Sequence, residues 1–158
     1  MKFNKAIKNL FIVLFSTLLI SACSTAKKSV DTVDDVYTGT DTVEFLAKGV
    51  PDRIFFATNK SKLTTASRDT LRKQATWMRK NKDVTVTVEG HADERGTREY
   101  NLALGERRAN AAKDYLMTYG VSGKRISVIS YGKERPVNPA SSPLAWSQNR
   151  RSVTVKAN

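Results

Sequence analysis

The chain has 158 residues and a mass of 17.6 kDa, and its 27 Lys and Arg residues against 15 Asp and Glu residues give it a formal charge of +12. Hydrophobic residues make up 40% and charged residues 27% of the sequence, a composition that excludes a disordered polymer and a multi-span membrane protein. A single Cys excludes an intrachain disulfide, a Cys-rich zinc site and a Cys-x-x-Cys redox centre, and a single His leaves little for a His-based metal site.

The first 22 residues have the pattern of a secretory signal. Lys2, Lys5 and Lys8 precede an apolar run over 10–20, and a basic start before a short apolar stretch is typical of export signals. A helix over that run would rise about 16 Å, roughly half of a hydrocarbon core, so a transmembrane span is disfavoured. We therefore predict a signal peptide over residues 1–22.

The residues that end this signal resemble a bacterial lipobox. They are Ile20, Ser21, Ala22 and Cys23. The resemblance implies cleavage after Ala22, acylation of Cys23 and, because the next residue is Ser, delivery to the outer membrane. Attachment of long lifetime needs more than one acyl chain. The alternative is an ordinary secretory signal followed by an incidental Cys.

Residues 23–50 are predicted to form a flexible tether. Ser, Thr, Asp and Lys dominate this segment and large apolar side chains are few, so it can bury little surface. The segment 23–51 carries three basic and five acidic residues, whereas 52–158 carries 21 basic and 10 acidic residues. We therefore predict a single folded, basic domain over 51–158.

Four strands are predicted in this domain. Their segments are rich in β-branched or aromatic residues, or alternate between apolar and polar side chains. They cover residues 53–56, 84–90, 126–132 and 151–156.

Two helices are predicted between these strands. In the first, Leu71, Ala75 and Met78 have helical spacing, and the second covers 102–119, before a Gly that is typical of a helix C-terminus. Three prolines precede 144–146, which leaves room only for a short helical turn. The order βαβαβ followed by a final β-strand predicts an α+β fold, a two-layer sandwich in which helices cover one side of a mixed four-stranded sheet.

A charged loop joins the second predicted strand to the second predicted helix. Asp93 lies in this loop, and Arg108 follows it on the helix, about 12 Å along the axis from a start near Tyr100. Arg presents a planar donor fork to carboxylates, and Asp accepts hydrogen bonds from ammonium groups. The two residues could therefore hold a small zwitterion, although from spacing alone a solvated charged surface is the simpler interpretation.

The segment 90–109 closely resembles the peptidoglycan-binding signature of the OmpA-like C-terminal domain. Its sequence is GHADERGTREYNLALGERRA, and the matching positions are Gly90, Asp93, Gly96, Asn101, Leu104, Gly105, Arg108 and Ala109. Further runs, LGERRANA, SYGKERP and NRRSV, are similar to those of the peptidoglycan-associated lipoproteins of the Tol-Pal system. The resemblance covers about 51–156 and implies an OmpA-like fold for this part of the chain.

The resemblance also implies roles for individual residues. It assigns Asp93 and Arg108 to the diaminopimelate end of the peptidoglycan stem peptide, whose free ammonium and carboxylate suit the two charges. The other implied contacts are Thr97 and Leu104, which line the pocket, and Phe56 and Ala57, which form its far edge.

The chain departs from the family pattern at the far edge of this pocket. The family usually has Phe-Asp-x-Asp after the first strand, but this chain has Ala57 and Asn59 at the acidic positions, and Lys62 replaces another common acid. Contacts from acidic side chains are therefore lost here, and only main-chain contacts could remain.

Several neighbouring residues are assigned structural parts. Gly96 is expected to permit a tight turn, and Asn101 to brace the loop. Arg150 and Arg151 are interpreted as structural or surface charges, with a contact to the glycan as the alternative. Trp146 is interpreted as a packing residue rather than a stacking platform.

The sequence as a whole predicts a lipid-anchored binding module without enzymatic activity. By resemblance, it would hold peptidoglycan non-covalently, bind TolB and other Tol proteins, and link the outer membrane to the cell wall during division. No metal, cofactor or catalytic residue is expected, because His91 has no second imidazole and no pair of acids or nucleophile elbow emerges. The alternative is a basic exported module that binds another anionic polymer or a protein partner, and nucleic acid is disfavoured because an exported protein does not meet it.

Overall fold

The computed structural model of the chain describes residues 36–157. In chain order, the elements are β1 (Phe45–Ala47), β2 (Val50–Pro51), β3 (Arg53–Phe55), α1 (Thr65–Lys80), β4 (Val86–His91), α2 (Arg98–Thr118), β5 (Ile126–Gly132), α3 (Pro143–Asn149) and β6 (Arg151–Lys156). The predicted signal peptide, Cys23 and the first part of the predicted tether lie outside the described residues.

The principal sheet has four strands in the order β3-β6-β4-β5. β6 pairs antiparallel with both β3 and β4, and β4 pairs in parallel with β5. A parallel pair needs a crossover connection, and α2 provides it between β4 and β5. The predicted α+β fold with a mixed four-stranded sheet is confirmed.

Helices α1 and α2 pack on one face of this sheet and bury its apolar side chains. The core includes Ile54, Phe56, Leu71, Ala75, Met78, Val86, Val88, Ala109, Ala112, Leu116, Val121 and Ile126. Each helix begins at a hydroxyl cap: the Oγ1 atoms of Thr64 and Thr97 accept from the backbone N–H of Ser67 and Tyr100. Leu71, Ala75 and Met78, which predicted the first helix, are all buried.

Two predicted helix bounds differ from the structure for local reasons. Helix α2 begins at Arg98 rather than residue 102, because its first turn is charged and polar and hides the apolar periodicity. Helix α3 has seven residues where a short turn was predicted. The Ser142 hydroxyl accepts from the Ala145 N–H, and Pro143 occupies the first turn, where its missing N–H costs nothing.

Helix α2 crosses β4 at a contact between two glycines. A Cβ atom on Gly90 would lie 1.8 Å from the carbonyl oxygen of Gly105, and one on Gly105 would lie 2.9 Å from that of Gly90. Only glycine permits backbones to approach so closely. The contact holds the first half of α2 against the end of β4, where the predicted site lies.

Part of the segment that composition assigns to a tether is packed in the structure. β1 and β2 form an antiparallel pair, and the Tyr37 and Leu46 side chains are buried. The Tyr37 ring contacts the Phe55 ring edge-on, with centroids 4.7 Å apart. Tyr37 follows Val36, and Leu46 lies between Phe45 and Ala47. These short apolar groups lie in a segment that is polar on average, so composition alone conceals the packing.

None of the helices within residues 36–157 is long and apolar enough to cross a membrane.

Candidate functional site

Three chain segments meet where β3 and β4 end and β6 begins. They are residues 56–60 after β3, residues 91–97 at and after the end of β4, and Arg150 immediately before β6. Because β6 lies between β3 and β4 and runs antiparallel to both, its first residue is adjacent to their last residues. Helix α2 runs past this junction and contributes Arg108.

The Arg108 side chain is fully buried and holds two of these segments together. Its Nε donates to the carbonyl oxygen of Lys60 at 2.9 Å, and its Nη2 to that of Ala57 at 3.1 Å. Its Nη1 donates to the carbonyl oxygen of His91 at 2.8 Å. The guanidinium also lies 5.2 Å from the centroid of the Phe56 ring. Arg108 thus places a positive charge at the junction and fixes its backbone.

The Asp93 carboxylate lies at the same junction and is only 7% exposed. Its Oδ1 accepts from the backbone N–H of Arg95 at 3.1 Å and from Arg95 Nε at 3.0 Å. Its Oδ2 accepts from Arg95 Nη2 at 2.8 Å and from Arg150 Nη1 at 3.4 Å. Burial raises the pKa of Asp93, but the hydrogen bonds and charge of Arg95 and the charge of Arg150 outweigh burial and hold that pKa below its usual value. The carboxylate is therefore ionised at neutral pH.

Arg150 joins the surroundings of Asp93 to those of Arg108. It is buried, and its Nε donates to the carbonyl oxygen of Phe56 at 3.0 Å, next to the Ala57 carbonyl that Arg108 binds. The structure therefore brings Asp93 and Arg108 to one strand-to-helix junction, and Arg150 links Asp93 to the segment after β3. The sequence did not connect Arg150 with Asp93, because the two residues lie far apart in the chain.

The remaining predicted site residues differ in how far their side chains are exposed to solvent. Thr97 is exposed and caps α2, so its side chain lies at the rim of the junction. The Leu104 and Phe56 side chains are buried and can only form the floor. Ala57 is half-buried, and its carbonyl oxygen accepts from Arg108.

The loop that carries Asp93 has the internal support expected of it. Gly96 has a φ of 89°, which a tight turn requires and which favours glycine. The Asn101 Nδ2 donates to the carbonyl oxygens of Arg95 and Thr97 at 2.9 and 3.0 Å. The predicted turn and brace are both confirmed.

A second set of contacts, which the sequence analysis missed, fastens this loop to α3. The Trp146 Nε1 donates to Glu94 Oε1 at 2.8 Å, and the Arg95 guanidinium stacks 4.3 Å from the Trp146 ring centroid. Arg95 Nη2 also donates to Thr58 Oγ1 at 3.2 Å. The sequence offered one signal for the Asp93–Arg95 contact. An Asp side chain in a loop commonly accepts a hydrogen bond from the backbone N–H two residues further along the chain, and Asp93 binds Arg95 in this way. The Trp146 contact has no comparable local signal.

His91 contributes its carbonyl oxygen to the junction. Burial of the imidazole, together with the charges of Arg151, Arg135 and Arg53, lowers the pKa of His91 to about 3, so the ring is neutral at neutral pH. Within the part of the chain that the structure describes, no group of three or more His, Cys, Asp or Glu side chains could hold a metal ion.

Comparisons with known proteins relate this sequence and fold to other proteins. The model of the OmpA family matches residues 55–150. A peptidoglycan-associated lipoprotein of Brucella melitensis is 44% identical over 149 residues, which cover 91% of this chain and 89% of the relative. The crystal structure of the peptidoglycan-associated lipoprotein from Burkholderia pseudomallei is similar, with a TM-score of 0.66 and 32% identity over 67% of this chain and 90% of that chain.

A more distant structure shares the fold alone. The C-terminal domain of Helicobacter pylori MotB has a TM-score of 0.63 at 23% identity, and the match covers 68% of this chain and 84% of that chain. The architecture around the junction is therefore found in proteins with little sequence in common.

Proposed function

The chain belongs to the OmpA family and, within it, to the peptidoglycan-associated lipoproteins, and on that premise we propose that it binds peptidoglycan non-covalently through the diaminopimelate residue of the stem peptide. The ligand lies at the junction of Asp93 and Arg108. The protein holds the cell wall without cleaving it, and a lipid on Cys23 attaches it to the outer membrane.

The observation that supports this proposal best is the placement of two opposite charges at one junction. The end of the diaminopimelate side chain carries both an ammonium and a carboxylate. Asp93 is ionised and can accept from the ammonium. Arg108 supplies positive charge close by, in a buried setting where charges interact more strongly than in water.

The other site residues have supporting parts in this proposal. Thr97 contacts the ligand at the rim, and Leu104 and Phe56 form the floor beneath it. The Ala57 carbonyl keeps the far edge in place through Arg108. This edge lacks the acidic side chains of the family pattern, and in their place it presents backbone that Arg108 holds in position.

The proposal extends to the partners that the family resemblance implies. TolB and other Tol proteins bind a surface that overlaps the peptidoglycan site. Through them, and through the lipid on Cys23, the protein couples the outer membrane to the wall and supports division.

Retention on purified sacculi tests the ligand and the site together. The full chain is purified in detergent and compared with Asp93→Asn, which keeps the shape of the side chain and removes its charge. We expect retention to weaken about 30- to 5,000-fold, because removing one partner of a desolvated charge pair costs about 2–5 kcal/mol.

Asp114→Asn provides a matched control, since Asp114 is an exposed carboxylate on the same helix as Arg108. This variant should bind sacculi like the unmodified chain. Equal retention of Asp93→Asn and Asp114→Asn, with both proteins folded by circular dichroism, would exclude Asp93 from the site. A tripeptide that ends in meso-diaminopimelate should also bind more tightly than the same peptide ending in lysine.

A further inference from the structure

The hydrogen-bonding capacity of the Asp93 carboxylate is already filled within the described residues. An ionised carboxylate offers about four lone-pair positions. Four donors occupy them: the backbone N–H, Nε and Nη2 of Arg95, and Nη1 of Arg150. An ammonium group can therefore reach Asp93 only if one of these donors leaves.

Of these donors, only the Arg95 guanidinium can move into solvent without disturbing the fold. The Arg150 side chain is 3% exposed and also donates to the Phe56 carbonyl. The backbone of Arg95 is held by Asn101, which binds its carbonyl oxygen. The Arg95 side chain, by contrast, is 41% exposed and lies in a loop at the surface of the junction.

From this arrangement we propose that the Arg95 guanidinium occupies the position that the ligand's ammonium takes, and that binding is an exchange of one cation for the other on Asp93. The inference rests on the proposed function and describes how that site is regulated. Arg95 keeps the Asp93 charge paired until a cationic ligand replaces it. Ligands without an ammonium at this position cannot complete the exchange.

The contacts of Arg95 set how firmly the unliganded state is held. Its guanidinium stacks on Trp146 and donates to Thr58 Oγ1 as well as to Asp93. The ion pair is exposed on its Arg95 side, and such a pair and a cation–π contact each contribute little. Their loss together corresponds to about 5- to 30-fold in affinity. Because Trp146 is a direct partner, the exchange also changes the environment of its indole.

Calorimetric titration of the full chain in detergent with the meso-diaminopimelate tripeptide tests this exchange. Arg95→Gln removes the competing cation, and we expect it to bind about 5- to 30-fold more tightly than the unmodified chain. Arg98→Gln is the matched control, since Arg98 is more exposed and pairs with Glu134 rather than with Asp93. It should bind with unchanged affinity. The gain in Arg95→Gln should disappear when the distal amine of the peptide is acetylated.

Fluorescence of Trp146 provides a second readout in a Trp77→Phe background, where Trp146 is the remaining indole. Saturating peptide should change the emission of this protein and leave that of its Arg95→Gln derivative nearly unchanged. Equal or weaker binding by Arg95→Gln than by Arg98→Gln would overturn the exchange, because it would mean that Arg95 positions Asp93 or contacts the ligand.

The two proposals fail in distinguishable ways. If Asp93→Asn loses sacculus binding while Arg95→Gln gains nothing, the proposed function stands and the exchange is wrong. If Asp93→Asn retains full binding, the site itself is wrong and the exchange falls with it.

Discussion

Substitution of Gly90 by Ala should weaken the fold and the candidate site together. The added Cβ would lie 1.8 Å from the Gly105 carbonyl oxygen and 2.5 Å from its carbonyl carbon. Ordinary van der Waals contact begins near 3.4 Å, so α2 would have to move away from β4 by more than 1 Å. Both obstructing atoms belong to the backbone, and no side chain can rotate to relieve the overlap. Overpacking of this kind costs about 1–3 kcal/mol and sometimes more, and we expect about 3 kcal/mol for Gly90→Ala.

Urea unfolding followed by circular dichroism measures this loss of stability. Gly123→Ala is a suitable control, because its nearest neighbour would be the flexible end of the Met117 side chain at 3.1 Å. It should change the free energy of unfolding by less than about 1 kcal/mol. Because Arg108 on α2 binds the His91 carbonyl next to Gly90, Gly90→Ala should also reduce peptide binding. A Gly90→Ala protein as stable as Gly123→Ala would refute the idea that this contact fixes α2.

Two further predictions concern buried polar groups at and near the junction. Arg108→Lys should lower the free energy of unfolding by about 1–3 kcal/mol, because one ammonium cannot reach all three carbonyl oxygens that the guanidinium binds. Arg107→Lys, at an exposed position of the same helix, should leave urea unfolding unchanged. Equal losses of stability in the two variants would contradict this account. The pKa of His91 is lowered from 6.5 to about 3 in the folded protein, so as the pH falls the imidazole becomes protonated in the unfolded chain before it does in the folded one. The free energy of unfolding should therefore decrease between about pH 6.5 and pH 3, by up to about 1.4 kcal/mol per pH unit. His91→Gln should flatten that slope in unfolding measured from pH 7 to 4, and an unchanged slope would show that His91 does not cause it.

Elements whose determining pattern lies within a few residues could be predicted from the sequence. The strands at 126–132 and 151–156 were predicted with the bounds that the structure has, since alternation and β-branched residues act within a few residues. The strand, loop and helix that carry Asp93 and Arg108 are also consecutive in the chain, but spacing alone favoured a solvated surface, and the family resemblance was needed to assign the two residues to one site. Arg108 is held by carbonyl oxygens that lie far from it in the sequence.

The contacts that were missed join residues far apart in the chain. Arg150 reaches Asp93 and Phe56 across the sheet, and Trp146 reaches Glu94 and Arg95. No periodicity or motif records such pairs, because either residue alone is compatible with a solvated charge or a packing role. The packed residues Tyr37 and Leu46 were missed for a related reason, since each belongs to a short apolar group in a segment that is polar on average.

The position of β6 has a mechanical consequence. The chain enters β3 at the end of the sheet opposite to Asp93, and β6 connects β3 to β4 through antiparallel hydrogen bonds that lie across the strand direction. Tension between the start of β3 and the proposed ligand at Asp93 would therefore run along the strands and load these bonds in shear, so that several must break at once. A sheet resists such a force along its strands better than a force across them, which would separate the strands one hydrogen bond at a time.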